Sequence, residues 1–184
     1  MHSMQISQTL NWPLIIHEEQ QMSRIAFHQI LKDMLAGLMR TEDTLSQLEW
    51  IDTRTLELVR YYISALNGCA YCLDMHYKEA LHHGEQPERL HAIEHWASLP
   101  FYSEQEQGLL RWANVCVTKQ AEDSEKQAAF RQLREHYDEA QIAWLTLVIS
   151  QLAQWNLLVK AFGFSAGHYQ PAHHQPAHHQ PGQQ

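Results

Sequence analysis

Two cysteines, a histidine and a glutamate are spaced for thiol chemistry in this chain of 184 residues. Cys69 and Cys72 lie about one helical turn apart, so their sulfur atoms can share one face of a helix. His76 follows Cys72 by another turn on the same face, where it can exchange a proton with the thiol. Together with Glu57, which precedes them in the chain, these are the candidate catalytic residues.

The sequence just before Cys69 favours a reactive thiol. Asn67-Gly68 is a strong helix-breaking pair, which predicts that one helix ends there and that the next begins near Cys69. Unpaired N–H groups and the helix dipole stabilise an anion at a helix N-terminus. A thiol at such a position can have its pKa lowered from about 8.5 to roughly 3.5–7.5.

Glu57 can reach the other candidates only if the chain folds back. Along one continuous helix it would lie too far from the cysteines, because each residue adds about 1.5 Å. An αα-hairpin around residues 67–68 would instead bring Glu57 opposite residues 76–78. We therefore predict a relay in which Glu57 orients or deprotonates His76, and His76 acts on Cys72. A wide separation of Glu57 from His76 would exclude this relay.

The residues alone leave three interpretations of the cysteine pair open: a redox pair, a metal site and two inert buried thiols. A thioredoxin-like motif needs a βαβ context, which is absent, and covalent haem attachment needs a histidine where this chain has Leu73. Zinc could use Cys69, Cys72 and His76, but a structural site needs a fourth ligand.

The pattern of apolar residues predicts an all-α chain, since they recur at three- and four-residue spacing and nothing resembles alternating strands. The expected helices are about Ile25–Leu38 with a polar break at Thr41, Asp52–Leu66, Cys69–Gly84, Pro87–Trp96, Ser103–Val117, Ser124–His136 and Asp138–Phe164. We predict a single helical domain over residues 1–165. Residues 166–184 are rich in His, Pro and Gln and repeat Gln-Pro-Ala-His-His, which predicts a disordered tail.

Charge and hydropathy narrow the class of protein. The chain has 13 basic and 21 acidic residues, a net charge of −8, which disfavours binding to nucleic acid. The N-terminus lacks the basic start and apolar stretch of a signal peptide. The most apolar region, residues 142–162, is interrupted by polar residues and fits a buried helix better than a membrane span. We expect a cytoplasmic protein with no membrane or nucleic-acid partner.

The segment from residue 57 to residue 80 resembles the AhpD-like, or carboxymuconolactone decarboxylase, superfamily. The active-site pattern of that superfamily is Glu, eleven residues, then Cys-x-x-Cys-x-x-x-His, matched here by Glu57, Cys69, Cys72 and His76. The resemblance covers most of residues 20–164 and continues through Leu110-Arg111-Trp112-Ala113, Leu145-Thr146-Leu147 and Trp155-Asn156. It implies an AhpD-like helical bundle with the CxxC motif at the N-terminus of a central helix.

The resemblance also implies a chemistry, that of a thiol-dependent alkyl hydroperoxide reductase. Cys72 would attack the peroxide and become a sulfenic acid, which Cys69 would resolve as a disulfide. Glu57 and His76 would serve as the proton relay. The implied enzyme is a homotrimer or hexamer without metal or flavin, and a dithiol such as a lipoyl group on a partner protein resets its disulfide.

Three residues depart from the pattern of these relatives. Tyr71 stands where many have a histidine, and a phenol is a poor proton acceptor near neutral pH, so a relay should depend more on His76. Because it stands at that position of the pattern, Tyr71 is kept among the candidate catalytic residues. Tyr62 and Ala65 replace an arginine and a glutamine, which predicts a less acidic Cys72 or a different substrate.

Two other functions compete with the peroxidase. A decarboxylase or lactone-processing enzyme would use Glu57 and His76 as acid and base, but such chemistry needs no dithiol. A non-catalytic redox sensor would use the disulfide to change shape or partner binding.

Overall fold

A computed structural model of the chain describes residues 24–118 and 120–171, and no strand occurs among these residues. The elements in chain order are α1 (Phe27–Ile30), α2 (Lys32–Leu45), α3 (Thr53–Leu66), α4 (Ala70–His82), α5 (Pro87–His91), a 3₁₀ helix (Ile93–Ser98), α6 (Glu104–Val117), α7 (Asp123–Leu133) and α8 (Glu139–Phe162). The prediction of an all-α fold is confirmed.

Side-chain caps fix where the long helices begin. Asp52 accepts a hydrogen bond from the Thr55 backbone N–H at 2.7 Å and so starts α3. Ser103 and Glu106 form a capping box at the start of α6. The last helix, α8, ends at Gly163, whose φ of 75° lies in the left-handed region that glycine adopts without strain.

The hairpin of α3 and α4 is the centre of the fold, and side chains of α8 hold its turn in place. Gly68 has a φ of 60°, which lets the chain reverse between the two helices. Asn67 donates to Asn156 Oδ1 on α8 at 2.9 Å, and Lys160 Nζ donates to the Asn67 carbonyl at 2.5 Å. The predicted hairpin is therefore present, and α8 fixes the turn that precedes Cys69.

The main core lies where α3, α6 and α8 pack together, and α7 packs on α6. Leucine and isoleucine dominate it, and each such side chain contributes about 1.5–3 kcal/mol when fully buried. Its fully buried members include Leu58, Ile63, Leu109, Leu110, Leu133 and Leu145. This core supports the hairpin on which the candidate residues stand.

Three predicted helix boundaries differ from the structure. The helix expected over Ile25–Leu38 is divided at Leu31 into α1 and α2. Helix α2 passes through Thr41 without a break and runs on to Leu45. The hydroxyls of Thr41 and Thr44 are satisfied within the helix, since each donates to a backbone carbonyl one turn earlier. The single helix expected from Pro87 to Trp96 is instead α5 followed by the 3₁₀ helix.

The chain beyond α8 stays in contact with the domain as far as Tyr169. We call residues 163–171 the C-terminal segment. Lys78 Nζ donates to the Tyr169 carbonyl at 2.9 Å, Gly167 N donates to Asp74 Oδ2 at 3.0 Å, and Tyr169 is only 5% exposed. Residues 166–171 were predicted to belong to the disordered tail, but burial of Tyr169 and these bonds offset the entropy lost on ordering them. Residues 172–184 lie outside the described residues.

Helix α8 is long and apolar enough to cross a membrane by length and composition alone, with a mean hydropathy of 1.5. Half of its apolar window is buried in the domain. Gln151 and Asn156 are also buried, and Gln151 donates to the Leu38 carbonyl at 3.0 Å. These contacts are those of a core helix, as the sequence predicted.

Candidate active site

Cys69 and Cys72 lie together at the start of α4. Cys69 is the N-cap residue, and Cys72 lies in the first turn. Their Cα atoms are 5.3 Å apart, and their sulfur atoms are at disulfide-bonding distance. The predicted position of the CxxC motif at a helix N-terminus is confirmed.

The cysteine pair is enclosed in a small apolar cluster. Cys69 is 1% exposed and Cys72 is 2% exposed. The cluster also contains Tyr71, Met75, Val159 and Tyr169, with Met39 and Phe164 packed against it. Because Phe164 and Tyr169 belong to the C-terminal segment, that segment helps to cover the cysteines. A reactant therefore needs a local opening to reach them.

Glu57 and His76 face each other across the hairpin. Glu57 Oε2 lies 2.7 Å from His76 Nδ1, and each side chain is 2% exposed. The contact that we predicted from the hairpin register is thus present. His76 Nε2 is buried and has no hydrogen-bond partner among residues 24–118 and 120–171. With Nδ1 held by the carboxylate, Nε2 is the ring atom left to exchange a proton.

Arg60 is a residue of this site that the sequence analysis missed. Its guanidinium donates to Glu57 Oε1 at 2.8 Å and to Glu42 Oε2 at 3.0 Å, and the residue is 3% exposed. Burial lowers the pKa of Arg60, but the charges of Glu42 and Glu57 outweigh burial and raise it. The i,i+3 spacing of Glu57 and Arg60 was the available signal. Arg60 therefore provides the site with a buried cation, which the neutral side chains of Tyr62 and Ala65 cannot provide.

The Glu57 carboxylate is held in its ionised form. Burial acts to raise its pKa, but the charges of His76 and Arg60 and their hydrogen bonds lower it to about 2. Glu57 therefore stays negative at every physiological pH. An ionised carboxylate bound to Nδ1 fixes the orientation of the imidazole and leaves Nε2 as the ring atom that can exchange a proton.

Glu79 is a second buried carboxyl beside this pair, and it too was not predicted. Tyr169 donates its hydroxyl hydrogen to Glu79 Oε1, and His83 Nε2 lies 3.7 Å from Oε2. Burial and the charge of Glu57 raise its pKa to about 7, against the opposing charge of Arg60. The site thus contains one carboxyl that stays ionised and one that titrates near neutrality.

The remaining candidates lie in different surroundings. Tyr71 lies in the cysteine cluster, where its ring meets that of Phe164 edge-on at 5.6 Å between centroids. Tyr62 belongs to the main core instead, where it packs edge-on against Trp96. The third cysteine, Cys116, is a free and exposed thiol on α6.

No group of three or more His, Cys, Asp or Glu side chains is arranged to hold a metal ion in the part of the chain that the structure describes.

A cavity of about 400 Å³ is lined by residues of other parts of the fold and by none of the candidate residues. Its two arginines, Arg54 and Arg89, are paired with Glu85 and Glu106, so their charges are already balanced.

The comparisons with known proteins point to one family. Residues 32–115 match the carboxymuconolactone decarboxylase family. The chain is also 32% identical over 143 residues to the uncharacterized protein YdfG of Bacillus subtilis strain 168, covering 76% of this chain and 94% of that protein. The chain belongs to the AhpD-like, carboxymuconolactone decarboxylase superfamily.

Solved structures of AhpD-like proteins share its fold. One is a protein of unknown function from Agrobacterium tumefaciens, described as a candidate antioxidant defence protein AhpD, with a TM-score of 0.68 and 32% identity over 76% of this chain and 94% of that one. Another is an uncharacterized peroxidase-related protein from Ralstonia eutropha with an alkylhydroperoxidase AhpD core. It has a TM-score of 0.66 and 16% identity over 84% of each chain, so its likeness is one of fold.

Proposed function

We propose that this AhpD-like protein is a thiol-dependent hydroperoxide reductase that cycles Cys69 and Cys72 between dithiol and disulfide. The observation that carries the proposal is the cysteine pair at disulfide-bonding distance on the helix that also carries His76, whose Nδ1 binds a buried, ionised Glu57. Neither a decarboxylase nor an inert core needs both the dithiol and the ionised relay.

The proposed reaction begins at Cys72. His76 Nε2 accepts the thiol proton, and the thiolate attacks the terminal peroxide oxygen so that the O–O bond breaks. The proton goes to the leaving alkoxide, which departs as an alcohol, and Cys72 becomes a sulfenic acid. Cys69 then attacks that sulfur, and water leaves as the disulfide forms. Two thiols and one hydroperoxide thus give a disulfide, an alcohol and water.

The surroundings of the cysteines support an organic hydroperoxide as the substrate. Met39, Met75, Val159 and Phe164 present apolar surface beside the sulfur atoms. Such a lining favours an alkyl or aryl group by removing its surface from water. In this proposal Tyr71 contributes to the apolar surroundings of the sulfur atoms rather than moving protons.

The proposed cycle closes with an external dithiol, such as a lipoyl group on a partner protein. A dithiol reduces the Cys69–Cys72 disulfide by thiol–disulfide exchange, so the chain needs no bound redox cofactor. The cycle suits the cytoplasm, where thiols are kept reduced.

Exposed apolar side chains support assembly into a homotrimer or hexamer. Ile30 is 70% exposed, Met34 72% and Leu157 68%, on α1, α2 and α8 respectively. Packing of these side chains against another copy of the chain would remove their apolar surface from water.

Consumption of cumene hydroperoxide and tert-butyl hydroperoxide with dihydrolipoamide tests the proposal. Turnover should vanish in Cys72→Ser, and Cys69→Ser should accumulate a sulfenic acid that dimedone traps. Cys116→Ser serves as the matched control and should behave as wild type. No turnover in wild type despite a reversible disulfide would contradict the peroxidase and favour a redox sensor. Ring-opened lactone products would instead favour the decarboxylase.

A further inference from the structure

Helix α4 carries a line of three titratable side chains that leads from the buried site to the surface. His76, Glu79 and His83 stand at positions i, i+3 and i+7, which share one face of a helix. Their side chains are 2%, 6% and 38% exposed, in that order. The proposed peroxide chemistry uses only the innermost of the three.

Glu79 lies at the midpoint of this line and contacts groups from three parts of the chain. Its own helix provides His83, whose Nε2 is 3.7 Å from Glu79 Oε2. The C-terminal segment provides the Tyr169 hydroxyl, which donates to Oε1. Helix α3 provides the charges of Glu57 and Arg60. A buried carboxyl in these contacts can hold a proton on Oε2, the oxygen that lies near His83. Transfer between Glu79 and His76 requires their side chains to move, because His76 Nε2 has no hydrogen-bond partner among the described residues in this conformation.

The redox cycle requires a route for protons between solvent and the buried cysteines. Thiol–disulfide exchange proceeds through thiolates, so protons must leave the cysteines before they react and return when the disulfide is reduced. Cys69 and Cys72 are almost fully buried, and the C-terminal segment helps to cover them. Bulk water therefore does not meet the sulfur atoms directly in this conformation.

We propose that Glu79 and His83 carry protons between solvent and the Glu57–His76 pair. In this path Glu79 is the buried group that holds the proton, and His83 is the surface group that exchanges it with water. The inference rests on the proposed dithiol–disulfide cycle but not on a hydroperoxide as its oxidant. Neither residue touches the reacting sulfur atoms in this path, so both act through His76. At neutral pH Glu79 is suited to the task, because a group that titrates near 7 gives and takes protons with little energetic penalty.

Reduction of the disulfide by dithiothreitol, followed by stopped flow on the full-length protein between about pH 5.5 and 9, tests the path. The rates are expressed per dithiothreitol thiolate, which removes the titration of the probe itself. Wild type should show an inflection near pH 7. Glu79→Gln should lose that inflection and react about tenfold more slowly, whereas Glu79→Asp should keep it.

His83→Gln separates a proton path from a packing effect. Its rate should fall, and added imidazole should restore it, because a small proton carrier in solution can replace the surface histidine. The neighbouring His82→Gln should behave as wild type, and imidazole should not rescue Glu79→Gln.

The path is overturned if Glu79→Gln keeps the wild-type rate and inflection, or if it slows the reaction without changing the pH profile. Melting temperatures measured alongside identify a variant that fails to fold, and Glu79→Asp and His83→Gln then carry the test. Because the assay contains dithiothreitol and no hydroperoxide, these outcomes are independent of whether the protein reduces hydroperoxides.

Discussion

Glu57 and Arg60 lie one turn apart on α3 and form a buried ion pair, with 2.8 Å between Oε1 and Nη1. The same guanidinium reaches Glu42 on α2, and the other oxygen of Glu57 binds His76 on α4. One arginine thus joins three helices around the carboxylate that orients the candidate base. Its charge also offsets the two buried carboxylates that flank it.

Replacing Arg60 with methionine should destabilise the fold severely. The change leaves Glu42 and Glu57 buried without their cation, and breaking a buried pair in this way costs about 3–5 kcal/mol. Urea unfolding followed by circular dichroism measures the loss. Arg54→Met, at a partly exposed arginine outside the site, is the control and should lose less. A loss below that of the control would contradict the structural role assigned to Arg60.

Glu57→Gln should slow hydroperoxide turnover by about a hundredfold, because a neutral amide orients His76 but does not stabilise its protonated form. The effect should fall on kcat rather than on KM, since Glu57 lies behind the imidazole and does not reach the substrate. Steady-state kinetics in cumene hydroperoxide measure both constants. Unchanged kcat in a folded Glu57→Gln protein would remove Glu57 from the relay.

The contact between Glu57 and His76 could be predicted from sequence because it depends on local signals. Asn67-Gly68 marks the turn, and counting equal lengths of helix on either side gives the partner residues. Glu42 and Glu79 could not be assigned to the site in this way. Their positions depend on how separate helices pack, and no spacing along one helix encodes that.

The C-terminal segment is a second part of the structure that the sequence pattern could not predict. Tyr169 stands among polar residues and Pro171, without the periodicity that marks a buried face, so composition predicted disorder for residues 166–171. The structure packs Tyr169 into the cysteine cluster, and its hydroxyl and carbonyl bind Glu79 and Lys78, which lie far away in sequence.

Glu79 should make the fold less stable as the pH rises. Its pKa is about 7 in the folded protein, raised from the usual 4.5 mainly by burial. Below about pH 4.5 the carboxyl is protonated in both states, and between there and about 7 only the unfolded state ionises, so stability falls across this window. Glu79→Gln should therefore melt at a higher temperature than wild type at pH 8 and at a similar temperature at pH 4.

Scanning calorimetry of wild type, Glu79→Gln and Glu88→Gln tests this pH dependence. Glu88 is exposed on α5, so its replacement should leave the difference between pH 4 and pH 8 unchanged. A Glu79→Gln protein with the same pH dependence as wild type would mean that Glu79 ionises normally in the fold.

The C-terminal segment should control access to the cysteines. Tyr169 is 5% exposed and contributes to the cysteine cluster, while Lys78 binds its carbonyl. Tyr169→Ala removes the buried ring, whose burial contributes about 2 kcal/mol, so the segment should open more often. Alkylation of the reduced cysteines by iodoacetamide should then be at least about tenfold faster than in wild type.

The measurement uses Cys116→Ser as background, because Cys116 is a free, exposed thiol whose alkylation would add to the signal. Tyr169→Phe is the matched control: it keeps the ring but loses the hydroxyl bond to Glu79, so its alkylation rate should lie between the other two. Equal rates in all three proteins would show that the reagent enters by another route. A fast Tyr169→Ala reaction with a slower Tyr169→Phe reaction would identify burial of the ring as the main force that holds the segment closed.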